Sequence, residues 1–584
     1  MHFIEYVILV ITGVENLTKW LFLFVLLWMI VTPFLKKFTK NHSRKKLIRS
    51  ILGIIPLILS VIYTAINFRP ATYDKFFVRG GILSLILIFV SIIMFIPDRK
   101  KDKKFDFFNV IKGVLNGVSV MLMIVLVYQF GFTNYVSDYS HLGWADSFSS
   151  MIDSMSVSYS NRNWKQIDFE SLKEKYVPLV RDAEENDDKQ AFAKVLLEYQ
   201  YEFYDSHIWF ADNCGVLSLA EEELIGNDYG MSMYKLNNGD TIAILVDKDS
   251  QAEKAGIHNG TVIKEWDGIN VDEAMKNVRC LDYWFQFEVI ENEELMKPIF
   301  LAGQGGDKVD VTFIDDDNKT KTVTLDAIGK YKSRESTALT YLYSDNRISN
   351  DNFSYKMLND DVGYLRISAE HYSNDIIDVI AMLKGNYKKV YDETDKKLQE
   401  LSDNGMKCLV IDLRHNRGGY EVISTAVASL FADSELTSED GIDRNGKIVS
   451  IAKFHTFNEG KWKDLPVAVL VNDAAVSSGD VLIHLLSQCP NVTIMGITSS
   501  SNSLQAIGGL CYLSDDIFEI YYPIFNTPDG NGGQIEVTAD RQAKVGFDVR
   551  IPVDLTSAIQ IFSDNTNDYE LEYAINYLYD ICNR

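Results

Sequence analysis

Two short stretches carry the residues best suited to chemistry. Leu470-Val471-Asn472-Asp473-Ala474-Ala475-Val476-Ser477-Ser478-Gly479-Asp480 ends the apolar run Val467–Val471 and leads into an apolar segment, Val481 to Leu486. That layout puts Ser477 or Ser478 at a strand-to-helix junction. A serine there is close to free amides at the positive end of a helix, which suits a nucleophile and its oxyanion hole. The same position suits a helix cap, so the local sequence leaves both roles open. The second stretch is Lys407 to Arg414, a buried-strand pattern running through His415-Asn416-Arg417-Gly418-Gly419 into a periodic helix from Tyr420 to Phe431. Backbone N–H groups at such a turn can hold an anion.

A serine hydroxyl needs a base, and Asp205-Ser206-His207 offers one. A neutral imidazole is competent near neutral pH, whereas an unassisted hydroxyl is not. His207 also stands beside Trp209 and Phe210, where a packed structural histidine is the plainer role. His484, one turn after Asp480, reads as a helix-face residue, and His415 is close enough to the Gly-Gly turn to contact substrate.

The elements that must position these residues divide by pattern. Residues 133–224 are a connector and a helical segment, with Phe192, Val195, Leu196 and Tyr199 at helical spacing. Residues 225–330 change to short strands and turns, opening on Tyr229-Gly230-Met231. The run SQAEKAGIHNGTVIKEWDGINVDEAM resembles a PDZ domain of the kind carried by bacterial proteases. That resemblance implies binding of an extended peptide end, with Tyr229, Gly230 and Met231 as substrate contacts. Residues 276–306 do not fit the compact pattern and read as an insertion. Residues 331–584 turn to alternating strand and helix, an α/β (α+β) core.

Taken in order, the helical segment, the PDZ-like unit, "V-I-D-L-R-x-N-x-G-G" and "V-L-V-N-x-x-x-x-S-S-G-D" resemble the S41 serine peptidases, the C-terminal processing and tricorn-core-like proteases. The resemblance covers about residues 151–584. It implies an endopeptidase working through an acyl-enzyme on Ser477, with Ser478 as the fallback. It also implies oxyanion donors from Gly418 or Gly419 and Ser478. One branch of the family uses a lysine about 25 residues after the serine, and here Asn502 stands at that place. A second branch uses a histidine from a "D-G-H" motif, which Asp205-Ser206-His207 matches in type and place. An acid should orient that imidazole. Near the carboxyl end, Asp548 and Glu536 are the candidates, and the third member stays open. The missing lysine also leaves open a pseudopeptidase that binds or senses peptides without cleaving them.

The charge pattern bounds the rest. Of 584 residues, 57 are Lys+Arg and 81 Asp+Glu, a net of −24. Residues 1–131 hold 17 Lys+Arg and 6 Asp+Glu, a net of +11, so the remaining 453 residues carry −35. An acidic body of that size repels phosphate backbones and argues against a nucleic-acid partner. The basic front holds apolar runs at 17–35, 51–68, 80–97 and 110–132, each near the roughly 20 residues of a membrane-spanning helix. The expected fold class is therefore an α-helical transmembrane region, residues 1–132, ahead of the peptidase core. Lys/Arg-rich loops after the first and third runs place residues 133–584 outside the cytoplasm of a multi-pass membrane protein. The six cysteines show no CxxC pair or zinc spacing, so neither metal nor other cofactor is implied. The expected partners are a protein or peptide substrate and the membrane.

Overall fold

The computed structural model describes residues 136–281, 286–342, 351–373, 375–442, 448–457, 459–514, 517–528, 534–563 and 567–582. It falls into two units. In the smaller, Val136–Asp138 pairs in parallel with Leu510, Cys511 and Tyr512. The larger holds Gly143–Gly509 and Ile517–Arg584 and carries all the candidate chemistry.

The centre of the larger unit is a six-stranded sheet whose spatial order is its chain order: Phe353–Met357, Val362–Ile367, Cys408–Asp412, Val467–Leu470, Val492–Gly496 and Val549–Arg550. The first pair is antiparallel and all later pairs are parallel. Every residue of Cys408–Asp412 and Val467–Leu470 is buried, as a parallel sheet covered on both faces requires. Val410, Ala468 and Leu470 share one core with Leu571, Ala574 and Leu578 of the helix Tyr569–Cys582. The alternate positions Leu409, Ile411 and Val469 are equally buried on the other face. Ile367, Asp412, Leu470 and Gly496 end four adjacent parallel strands. The turns that follow them, at 368–371, 413–420, 471–477 and 497–505, gather at one end of the sheet, where open α/β sheets form their sites.

Before the sheet come the helices Trp144–Ser158, Phe169–Glu185 and Lys189–Tyr201. Asp168 and Asp188 cap the second and third by accepting the amides of Ser171 and Ala191. Their common core is aromatic, with Phe148, Tyr159, Tyr199 and Phe203 in edge-to-face contacts. This packing holds the start of Asp205-Ser206-His207. Its other end is fixed by Trp209–Asp212, which pairs antiparallel with Phe518–Phe525.

The β-rich unit begins and ends on one antiparallel pair, Asn227–Asp228 with Gly329–Lys330, so the chain enters and leaves it side by side. Inside are the hairpin Ser232–Lys235 with Thr241–Ile244 and a separate four-stranded sheet. The S-x-A-x-x-A-G-I run is a short helix, Gln251–Ala255, capped by Ser250 and ended at Gly256. Within 276–306 lies the helix Ile290–Leu301.

The expected fold class needs correction. Among the described residues no helix is long and apolar enough to cross a membrane, and the architecture they form is an α/β core without a transmembrane region. The physical reason is that these helices are two-faced. Phe169–Glu185, for example, buries Phe169, Leu172, Tyr176 and Val180 while exposing Glu170, Glu174, Arg181 and Asp182. The four apolar runs at 17–35, 51–68, 80–97 and 110–132 lie outside the described residues.

Candidate active site

Ser477 is the last residue before the helix Ser478–Ser487, at φ 63° and ψ −129°. A non-glycine residue in that conformation is strained and must be held by its surroundings. Its amide donates to the Ser503 carbonyl at 2.8 Å, and its carbonyl accepts the Val481 amide at 3.0 Å. The half-buried side chain makes no hydrogen bond among the described residues. Ser478 differs, since its hydroxyl donates to the Gly419 carbonyl at 2.9 Å and its carbonyl accepts the Ser424 hydroxyl at 2.9 Å. One serine of the pair is pinned and the other is free.

Gly418 lies against Ser477. A Cβ at 418 would stand 2.6 Å from the Ser477 Cβ and 2.9 Å from the Ser478 nitrogen, and φ is +79°. Only glycine permits that approach in that conformation. The Gly418 amide is directed away, donating to Asn416 Oδ1 at 2.9 Å. The amides of Gly419, which is exposed, and of Ser478 have no acceptor among the described residues. His415, half-buried at φ 59°, donates its amide to Asn472 Oδ1 at 2.9 Å.

His207 is 3% exposed, and its Nδ1 lies 2.7 Å from the Ser503 hydroxyl. Ser503 thus touches both candidates, the imidazole through its side chain and the Ser477 amide through its carbonyl. The motif before the histidine is tied on all sides. Asp205 accepts from the His207 amide at 2.9 Å, the Tyr159 hydroxyl at 2.6 Å and Gln505 Nε2 at 2.9 Å. Ser206 donates its amide to Glu288 at 2.7 Å and its hydroxyl to the Gln286 carbonyl at 2.8 Å. Lys165 closes the network, 3.0 Å from Glu288 and 3.3 Å from Asp205.

Burial pushes the His207 imidazole down to about 4; Asp205 opposes this and Lys165 reinforces it. The ring is therefore neutral at pH 7, the form a base requires. The unfolded chain takes up a proton between about pH 6.5 and 4 that the folded chain refuses. Stability from this group is complete above the unfolded value and falls as pH drops through the folded one. At pH 5 its loss should be about 2 kcal/mol relative to pH 8. The difference between wild type and His207→Gln in urea denaturation at the two pH values isolates it.

Asp480, three residues after Ser477, accepts the amides of Asn502 at 3.1 Å and Ser503 at 2.9 Å, and burial pushes its carboxyl up to about 7. Asn502 occupies the position expected for a lysine. Its side chain pairs both ways with the backbone of Val545, accepting the amide at 2.7 Å and donating to the carbonyl at 3.0 Å. Asn502→Ala should cost about 2 kcal/mol, because it strands two buried backbone groups, as urea denaturation can measure.

The remaining sequence candidates fall elsewhere. Asp548 is exposed and accepts the Ile494 amide at 2.8 Å, a sheet-edge contact. Glu536 is buried and accepts the Thr527 amide at 2.5 Å. Tyr229 donates its hydroxyl to the Gly306 carbonyl at 2.7 Å and Gly230 its amide to Asp228 at 2.8 Å, while Met231 is fully buried. All three belong to the β-rich unit. Among the described residues no His/Cys/Asp/Glu group is arranged to hold a metal ion. Sequence reasoning missed Lys165, Glu288, Glu370, Asn416 and Ser503. Asn416 alone had a signal, its place inside the Gly-Gly motif.

The site thus joins a strained serine at a strand-to-helix turn, Gly418 packed on it, and a buried neutral histidine linked to it through Ser503, an arrangement that serine hydrolysis could use. Residues 361–542 match the model of peptidase family S41. The chain is 23% identical over 198 residues to the nisin-resistance protein of Lactococcus lactis subsp. lactis, 31% of this chain and 62% of that one. It thus spans under two thirds of the length of that relative. Among solved structures, mature CPAF is 13% identical with a TM-score of 0.48, covering 76% of this chain and 98% of that one. The photosystem II D1 C-terminal processing protease is 18% identical with a TM-score of 0.30, covering 72% and 97%.

Proposed function

We propose that the chain is a serine endopeptidase that cleaves peptide bonds through an acyl-enzyme on Ser477. The observation that carries this reading is the Ser477 turn itself: strained, half-buried and free at its hydroxyl, with Gly418 against its Cβ. His207 serves as general base. Donation from Nδ1–H to the Ser503 hydroxyl leaves the other ring nitrogen as the lone-pair site. The amides of Gly419 and Ser478 receive the oxyanion, and Gly418 supplies room rather than a donor because its amide is taken by Asn416. The β-rich unit, read as PDZ-like, presents the extended peptide end, but not through Tyr229, Gly230 and Met231, which are buried inside it.

A second reading is a peptide-binding protein that does not cleave. One observation favours it: no hydrogen bond among the described residues joins the His207 ring to the Ser477 hydroxyl. Fluorophosphonate labelling followed by peptide mapping separates the two. An adduct on the peptide containing Ser477 supports the peptidase. A folded chain that takes no label overturns it in favour of the binder.

A further inference from the structure

Glu370 follows the strand Val362–Ile367 and lies beside the Gly-Gly turn. Its amide donates to the Gly418 carbonyl at 3.1 Å, and its carbonyl accepts the Tyr420 amide at 3.0 Å. Its side chain holds the same turn by a second route. Oε1 accepts Asn416 Nδ2 at 2.8 Å, and Asn416 Oδ1 in turn accepts the Gly418 amide at 2.9 Å. Asn416 is anchored further by donating to the Ile367 carbonyl at 3.1 Å. Gly418 is thus fixed at its carbonyl by the backbone of Glu370 and at its amide by the carboxyl of Glu370 acting through Asn416. This ring orients the peptide units of the turn, inward for the Gly418 amide and open for that of Gly419.

The carboxyl is fully buried, and Oε2 has no hydrogen-bond partner among the described residues. No cation is paired with it there, and the charged group that reaches it is another carboxyl, Asp480. An ionised Glu370 would be an unpaired buried charge facing a like charge, which is far costlier than the neutral acid. We propose that Glu370 is a positioning residue of the Gly418–Gly419 turn, acting as a neutral carboxylic acid through Asn416. The inference rests on the reading of Ser477 as nucleophile. Burial, partly offset by the Asn416 amide, pushes the carboxyl up to about 8, so the neutral form persists through neutral pH. The other ionisable groups in the turns at this end of the sheet are Arg414, His415, Arg417, Asp473, Asp480, pushed up to about 7, and the adjacent His371, whose ring packs edge-on to Tyr420.

The test is the pH dependence of fluorophosphonate labelling of the full chain, compared with Glu370→Gln and Glu370→Ala. Above about pH 8 ionisation puts an unpaired charge in the buried site facing Asp480, which drives the carboxyl out of its place on Asn416, so wild type should lose labelling rate by up to about tenfold per pH unit. Glu370→Gln, which stays neutral and keeps an acceptor for Asn416, should remain within about threefold of wild type at pH 7 and show no such fall. Glu370→Ala should be slower at every pH. An unchanged alkaline fall in Glu370→Gln, or full labelling in Glu370→Ala, overturns the proposal. If wild type takes no label, the reading of Ser477 fails on its own. Glu370 is then judged by difference infrared spectroscopy of wild type against Glu370→Gln. A protonated-carboxyl band that persists at pH 7 and titrates above it supports the neutral acid, and its absence overturns it.

Discussion

Ser477→Ala should lower peptide hydrolysis by about a thousandfold or more and leave the fold unchanged, because loss of a nucleophile removes the covalent route entirely. The structure supports both halves of that expectation. The Ser477 side chain makes no hydrogen bond among the described residues, and its two backbone bonds, to Ser503 and Val481, do not depend on the side chain. Alanine keeps the Cβ that Gly418 packs against and accepts the positive φ at the same cost as serine. Ser478→Ala is the matched control. It deletes the bond to the Gly419 carbonyl and should slow the reaction by about tenfold, the worth of one hydrogen bond. Initial rates on a peptide substrate, with melting curves for each variant, rank the two serines. Equal rates for Ser477→Ala and wild type would remove Ser477 from the chemistry.

Lys165→Met should be the most destabilising single change near the site, by about 3–5 kcal/mol. The Lys165 side chain is 5% exposed and its two carboxylate partners, Asp205 and Glu288, are fully buried. Burial acts to lower the lysine pKa, but Asp205 and Glu288 outweigh it and hold the ammonium charged. Removing the cation leaves two fully buried carboxyls without their counter-charge. Glu288, which burial already pushes up to about 7, should then take up a proton readily. The variant should therefore lose more stability at pH 8 than at pH 5, the opposite sign to the His207 effect. Its melting temperature should fall by roughly 10 °C at neutral pH. Calorimetry at the two pH values measures both quantities. The double change Lys165→Met, Glu288→Gln should recover part of the loss, because it removes one of the stranded charges.

The parts of the site that could be read from the sequence are those built by neighbours along the chain. A strand, a Gly-Gly turn and a helix lie within Cys408–Ala428, and a strand, a serine and a helix within Val467–Ser487. Such order is visible as apolar runs punctuated by glycine. Asp205-Ser206-His207 was legible as a tripeptide, since the Asp205 bond to the His207 amide spans two residues. The supports were not legible. Ser206 meets Glu288 across 82 residues and Ser501 across 295, and Asn292 meets Ser499 across 207. Single hydrogen bonds at such separations leave no periodicity in the chain. The acid near the histidine is a case in point. Asp548 and Glu536 stand near the carboxyl end of the sequence, yet the carboxylate bonded beside the histidine is Glu288, from the 276–306 stretch that reads only as an insertion. The membrane-spanning helices expected ahead of the core were read from apolar runs outside the described residues, and nothing in the described fold is of that kind.

Asn502 has a further consequence through its bonds to Val545. Its amide accepts from the Val545 N–H and donates to the Val545 carbonyl, so it clamps that segment to the turn that also carries Ser503. A lysine has no oxygen to accept that N–H. Asn502→Lys would therefore release the segment in the same step that offers an amine, so a clamp and a base at 502 exclude each other.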